Sequence, residues 1–353
     1  MRRRLRELGF TVGRFPTGER NGLVDVPGVL VGHNTVIEGD RLRTGVTAIM
    51  PHGGNLYADK VLGACHVING YGKATGLTQL AELGTVESPL LLTSTLSVGP
   101  VWEGGLRHLL ELNPEAARDR DTVNVIVGEC FDGWLSDSRA LAVRPEHALE
   151  ALAQAGPEET REGAVGAGTG TTCFGYKAGV GTSSRRAGDR LLGCLVVSNY
   201  GARRDLHLLA GPLGAAEASE PPAEPAAQGG SIMIVLGTDA PLNERQLRRL
   251  GARATFGLGR AGSFASNGSG EFCLAFSTAH RIAHREDTTE LELVLLRDDS
   301  PQLRELFEAA GEVVHEAVLN SLCAADAMEG RDGNRVEAFP YELLERAPGV
   351  RRA

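Results

Sequence analysis

The segment Gly229-Gly230-Ser231-Ile232-Met233-Ile234-Val235-Leu236 constrains this chain more than any other. Apolar residues that run without a polar break cannot alternate between core and solvent, so 231–237 predicts a strand covered on both faces. Directly upstream, 215–230 consists almost entirely of Ala, Glu, Pro, Ser, Gln and Gly, the composition of a mobile linker. A serine hydroxyl at this junction is placed to attack the carbonyl just before it, and Gly230, lacking a Cβ, tolerates the backbone geometry such an attack needs. The acyl group would pass from nitrogen to oxygen, and water would release a new chain beginning at Ser231, whose free amine could serve its own hydroxyl as base. An ordinary loop-to-strand joint has the same tripeptide, which leaves both readings open.

At 353 residues the chain has room for one to three domains. A net charge of −9 argues against a general nucleic-acid binder. No run of about 18 apolar residues is present, so no membrane span is expected, and the basic segment 1–10 lacks the apolar core of a signal peptide. These features point to the cytoplasm. Cys65, Cys130, Cys173, Cys194, Cys273 and Cys323 show no C-x-x-C spacing and sit mostly among apolar neighbours, as core residues do. His280 and His284 share i, i+4 spacing without an acidic partner of recognised pattern, so a metal site is not expected.

Short apolar runs bounded by glycine predict strands at 29–32, 44–50, 90–93, 122–127, 178–182, 190–199, 231–237, 272–277 and 291–296. Helical spacing marks 75–83, 101–112, 146–155 and 243–252, and a long amphipathic helix is expected over 302–328. Strands and helices mix without a regular βαβ rhythm, which favours an α+β layered architecture over a doubly wound one. The linker does not look like a domain boundary, because sheet-forming segments on its two sides can share one core.

Polar groups gather at several strand ends. Glu129 and Asp132 follow the strand ending near Gly128, and Ser198-Asn199-Tyr200-Gly201 closes another. Gly262 to Glu271 is a polar, glycine-rich loop whose Ser269 and Glu271 share a face once the strand begins. An amide at a strand end such as Asn199 suits an oxyanion donor, although a turn-capping asparagine looks the same in sequence. The glycine-threonine turns at 166–172 and 179–185 do not match G-x-x-x-x-G-K-[ST] and read as strand connections.

Taken in order, these segments resemble the L-aminopeptidase/D-esterase and D-aminopeptidase family, the β-aminopeptidases. The resemblance spans most of the chain. Its anchors are Ile37-Glu38-Gly39-Asp40 with Arg43-Thr44-Gly45-Val46-Thr47-Ala48-Ile49, then Asp132-Gly133-Trp134-Leu135-Ser136-Asp137, Gly179-Val180-Gly181-Thr182-Ser183-Ser184-Arg185 and Asn199-Tyr200-Gly201. Gly230-Ser231-Ile232, Thr238-Asp239-Ala240-Pro241-Leu242, Asn267-Gly268-Ser269-Gly270-Glu271 and Gly330-Arg331-Asp332-Gly333 complete the set. The resemblance implies a four-layer αββα sandwich formed by one domain over 1–353, and cleavage between Gly230 and Ser231 into chains 1–230 and 231–353. Those chains would stay together as a heterodimer within a larger oligomer, and no metal or organic cofactor is implied.

By the same resemblance Ser231 is the nucleophile, Asn199 an oxyanion donor, and Ser269 and Glu271 the polar supports of the Ser231 amine and hydroxyl. Substrates would be small peptides, amino-acid amides or esters with a free amino terminus, whose ammonium Glu129 or Asp132 would bind. The chain departs from the family at Trp134, where a tyrosine is usual, and at Tyr71 and Lys73, where an asparagine and an acidic residue are usual. An indole N–H donates one hydrogen bond but relays no proton, so Trp134 is expected to help hold the oxyanion in an altered way. The alternatives are an aminoacyl transferase working through the same acyl-enzyme, a weakened homologue acting as a binding or assembly protein, and, more distantly, a nucleotide binder.

Overall fold

The computed structural model describes residues 2–118, 121–208, 211–212, 230–285 and 288–346. Ten strands form two sheets. In chain order they are β1 Leu30–Glu38, β2 Leu42–Met50, β3 Asp59–Gly70, β4 Thr85–Val86, β5 Leu90–Ser94, β6 Ile126–Cys130, β7 Val180–Ala187, β8 Arg190–Asn199, β9 Gly230–Thr238 and β10 Ser269–Ala283. The first sheet has the order β1-β2-β5-β6 and the second β4-β3-β10-β9-β8-β7. The main helices are α1 Leu77–Leu83, α2 Val98–Leu112, α3 Pro145–Ala153, α4 Glu244–Ala261 and α5 Pro301–Cys323.

Three cores separate the layers. Ile49, Leu90, Leu92 and Ile126 of the first sheet meet Leu195, Val197, Met233, Val235 and Leu274 of the second in a central core. The outward-facing alternates of the second sheet, Cys194, Val196, Ile232, Ile234 and Leu236, pack on Leu247, Leu250, Leu306 and Val313 of α4 and α5. On the other side, Val46, Ala48 and Leu91 pack under Val101, Leu109, Ala148 and Leu152 of α2 and α3. The result is a helix–sheet–sheet–helix stack, and it explains why β9 is apolar at consecutive positions: both of its faces are cores.

Local signals set the helix ends. Asn243 and Gln246 form a reciprocal capping box at the start of α4, and Gly262 ends it at φ +110°. Ser300 caps α5 with Pro301 in the first turn. The two helices cross so closely that a Cβ on Gly257 would lie 2.5 Å from the Gly311 carbonyl oxygen.

Most expected strands appear, although β1, β7 and β10 run five or six residues beyond their predicted ends, and three differences are larger. β3 gave no clear signal, because Gly63, Cys65 and His66 break its apolar pattern, yet it pairs with β10 on one side and β4 on the other. Residues 291–296 are not a strand. Val294 is 79% exposed, Leu293 and Leu296 only lean on the core, and the Leu296 N–H donates to the Pro241 carbonyl in a loop rather than to a ladder partner. α5 ends at Cys323 rather than near 328, and Met328–Glu329 pairs instead with Arg335–Val336. Of the expected linker 215–230, residues 215–229 lie outside the described residues and Gly230 opens β9. Strands from before and after it, β8 and β9, are hydrogen-bonded neighbours in one sheet.

Candidate active site

Ser231 is the second residue of β9, paired with Asn199 on β8 and Gly270 on β10. It has the parity of Met233 and Val235, so its side chain points between the sheets, and it is 4% exposed. Its Oγ accepts a hydrogen bond from the backbone N–H of Phe131 at 3.1 Å and faces Asn199 Nδ2 at 3.4 Å. Phe131 follows β6 in the opposite sheet, so the hydroxyl is held by both sheets at once. Asn199 Oδ1 accepts from the Thr172 N–H at 3.1 Å, which turns the NH₂ end of the amide toward the serine.

Ser269 and Glu271 pair with Gly230 and Ile232 across β9. Sequence alternation placed them on one face, as expected, but it is the face opposite the Ser231 side chain. They adjoin the backbone at Gly230 and Ser231, not the hydroxyl. Ser269 Oγ would lie 3.0 Å from a Cβ added to Gly230, a close approach that glycine permits. Both residues are almost fully buried, and Ser269 Oγ and both Glu271 carboxylate oxygens have no hydrogen-bond partner among the described residues. Burial pushes the Glu271 carboxyl above its usual range, opposed by the neighbouring Ser269 hydroxyl.

A cavity of about 600 Å³ opens over Ser231, with Glu129, Trp134, Tyr71, Lys73 and Phe264 among its walls. Glu129 is 5% exposed; its Oε1 accepts from the Lys73 N–H at 3.1 Å and its Oε2 from the Thr95 hydroxyl. Neutral donors hold this carboxylate, which forms no ion pair among the described residues. Asp132, the alternative ammonium site, is not among the walls of this cavity. Its side chain is enclosed away from the cavity, where Oδ1 accepts from Ser94 at 2.7 Å and Ser138 at 3.1 Å, and burial raises its pKa. Asp132 therefore pins the turn that presents the Phe131 N–H.

Trp134 lines the cavity, but the Ser231 hydroxyl has Phe131 and Asn199 as its partners, not the indole. The Phe131 N–H and the Thr172 support of Asn199 had no sequence signal, since a backbone donor carries none.

A helix-flanked double sheet with a serine at the threshold of an inner strand, facing an amide and a backbone N–H, defines the architecture of N-terminal-nucleophile hydrolases. The family model of peptidase family S58 matches residues 21–336. The β-peptidyl aminopeptidase BapA of Sphingosinicella microcystinivorans is 34% identical over 366 residues, spanning 97% of this chain and 90% of that protein. The crystal structure of the PH0078 protein from Pyrococcus horikoshii OT3 superposes with a TM-score of 0.92 at 44% identity, covering 98% of each chain. The L-aminopeptidase D-Ala-esterase/amidase of Ochrobactrum anthropi, described as a prototype serine aminopeptidase with a variant Ntn-hydrolase fold, gives 0.89 at 32% identity, covering 98% of this chain and 97% of that one. The chain belongs to peptidase family S58 and is a hydrolase of the aminopeptidase type with an N-terminal nucleophile. The transferase and binding-protein alternatives draw no support from these relatives. No helix among the described residues is long and apolar enough to cross a membrane.

Proposed function

We propose that the chain cleaves itself between Gly230 and Ser231 and then removes amino-terminal residues from small peptides, amino-acid amides or esters through an acyl-enzyme on Ser231. The observation that carries this reading is the Ser231 hydroxyl held between the Phe131 N–H and the Asn199 amide at the floor of a cavity walled by Glu129. In self-cleavage Oγ attacks the Gly230 carbonyl carbon, the C–N bond breaks as the acyl group moves to oxygen, and water hydrolyses the ester. The new amine of Ser231 emerges on the side of the sheet where Glu271 and Ser269 lack partners. Their role is to hold it as it gains and loses a proton.

In turnover that amine takes the hydroxyl proton while Oγ attacks the scissile carbonyl. The oxyanion is held by Asn199 Nδ2 and the Phe131 N–H, with Trp134 forming the adjacent wall. The amine returns its proton to the leaving nitrogen, and water, deprotonated by the same amine, releases the acid. Glu129 receives the substrate's ammonium, which restricts the enzyme to free amino termini. Relatives named as β-peptidyl aminopeptidase and D-Ala-esterase/amidase extend the candidate substrates to β- and D-residues. The same reading has chains 1–230 and 231–353 associated as a heterodimer, assembled into a larger homo-oligomer in the cytoplasm. Six free cysteines are consistent with a reducing compartment.

Intact mass under denaturing conditions tests the first step: fragments meeting between Gly230 and Ser231 are expected from the wild type, and one uncleaved mass from Ser231→Ala. A Ser231→Ala protein that hydrolysed an amino-acid p-nitroanilide at the wild-type rate would sink the mechanism.

A further inference from the structure

Behind Asn199 lies a buried cation that the reaction scheme above does not use. Lys177 is completely buried, and its Nζ donates to the carbonyls of Gly168 at 3.2 Å, Thr171 at 2.9 Å and Ala178. No carboxylate pairs with it among the described residues, and burial alone pulls its pKa down to about 7. A short ribbon, Thr172–Cys173 against Tyr176–Lys177, brings it there, with Thr172 and Lys177 as register partners. The Thr171 carbonyl that Lys177 grips belongs to the same peptide group as the Thr172 N–H. That N–H donates to Asn199 Oδ1 at 3.1 Å, and Asn199 Nδ2 faces Ser231 Oγ at 3.4 Å. Thr172 and Asn199 line the cavity, whereas Lys177 stands behind them and does not.

We propose that Lys177 is a positioning residue for the oxyanion donor: its ammonium fixes and polarises the 171–172 peptide, which clamps Asn199 with its NH₂ group aimed at the reacting centre. The inference rests on the reading of Asn199 as that donor. Two physical effects carry it. A carboxamide can present either end, and an N–H bonded to Oδ1 leaves only the NH₂ end for the cavity. Hydrogen bonds in series also polarise one another, so a positive charge on the Thr171 oxygen strengthens the Thr172 donor and, through it, the Asn199 donor. Both effects matter more for an oxyanion than for a ground-state carbonyl. The glycine-threonine turn 166–172, which binds no phosphate by its sequence, thus acquires a function as the carrier of this peptide.

The test is Lys177→Met, with rates expressed per mole of processed chain counted by intact mass. Expected is a fall in kcat of at least about tenfold, a part of the 10²–10³ that loss of a whole oxyanion donor costs. KM should stay within about twofold, while affinity for an aminoalkyl boronic acid, which becomes a tetrahedral anion on Ser231, should fall by the same factor as kcat. A purely structural lysine would not couple boronate affinity to kcat, and wild-type kcat or unchanged boronate affinity in the variant would overturn the inference. If Lys177→Met does not yield folded protein, Thr172→Pro removes the N–H in the next link at the first residue of a short strand, where proline is tolerated; the same losses are expected and wild-type kcat again overturns it. Asn199→Ala separates the two levels. Wild-type kcat in that variant defeats the reading of the site, whereas loss there with none in Lys177→Met defeats this inference alone.

Discussion

Arg185 and Lys177 are both completely buried, yet they are treated in opposite ways. Arg185 meets Glu312 at 3.0 Å and Glu316 at 2.6 Å and also donates to the carbonyls of Ser184 and Val12. Glu316 in turn accepts from Arg6 at 2.7 Å and Asn21 at 2.6 Å. This cluster is matched internally, ties the amino-terminal segment and β7 to α5, and asks nothing of a ligand. Lys177 has only carbonyls around it, Glu129 only neutral donors, and Glu271 no partner among the described residues. Isolated buried charge is costly. The contrast teaches that charges are neutralised internally where they hold elements together and are left without ionic partners around the cavity, where the proposed chemistry would bring a partner to Glu129 and Glu271.

Breaking the matched side should have the largest effect. Arg185→Met leaves two buried carboxylates without their common cation and is expected to lower unfolding free energy by about 3–5 kcal/mol, read by urea denaturation. The fraction that folds should keep wild-type kcat; a variant of wild-type stability would show that the cluster is not what fastens α5.

On the unmatched side, Glu129→Gln keeps the size, lets the amide oxygen accept from the Lys73 N–H while the Thr95 hydroxyl turns to accept from the NH₂, and removes the charge proposed to receive an ammonium. Charged hydrogen bonds are worth about 1.5–3 kcal/mol, so KM should rise roughly tenfold to a hundredfold with kcat little changed. Steady-state kinetics decide this, and an unaltered KM would move the ammonium site elsewhere.

The matched side also has a pH signature. Burial works to raise the Glu316 carboxyl, but Arg185 and Arg6 prevail and hold it below its usual value of 4.5. A folded-state pKa below the unfolded one gives stability that is present above about pH 4.5 and is lost as pH falls through the folded value. The stability gap between wild type and Glu316→Gln should therefore be constant near neutrality and narrow below about pH 4.5, as thermal unfolding across pH would reveal. A gap that widened in acid would reverse the assigned sign.

The smallest change is expected at Trp134. Because Ser231 is held by Phe131 and Asn199, Trp134→Tyr should alter kcat by less than about threefold, far from the cost of a lost oxyanion donor. A gain near a hundredfold would restore the indole position to the catalytic set.

Much of this architecture was legible in the chain. The uninterrupted apolar run after Ser231 announced a strand buried on both faces, because only a sheet with cover above and below removes every second residue and its neighbour from water. Helix caps at Asn243 and Ser300 were local, hydrogen bonds being made within three residues. β3 escaped because its place is decided by the edges of β10 and β4, not by its own alternation. The segment 291–296 misled for the converse reason: its residues are strand-like, but Val294 stays in solvent and the Leu296 N–H is taken by the Pro241 carbonyl.

At the site, alternation correctly put Ser269 and Glu271 on one face. It did not say which face Ser231 shared, because that depends on the pairing of β9 with β10.

The sequence by itself determined the strand-forming segments, the serine at the head of a doubly buried strand, the glycine before it and the ordered motifs of a peptidase family. Those properties depend on residue type and near neighbours. Only the tertiary structure decided that the serine hydroxyl meets a backbone N–H 100 residues away in the other sheet, that Asp132 is a turn anchor, and that Lys177 stands behind Asn199. A backbone donor has no residue-specific signature, and a buried charge reveals its purpose only through what the fold places, or omits to place, beside it.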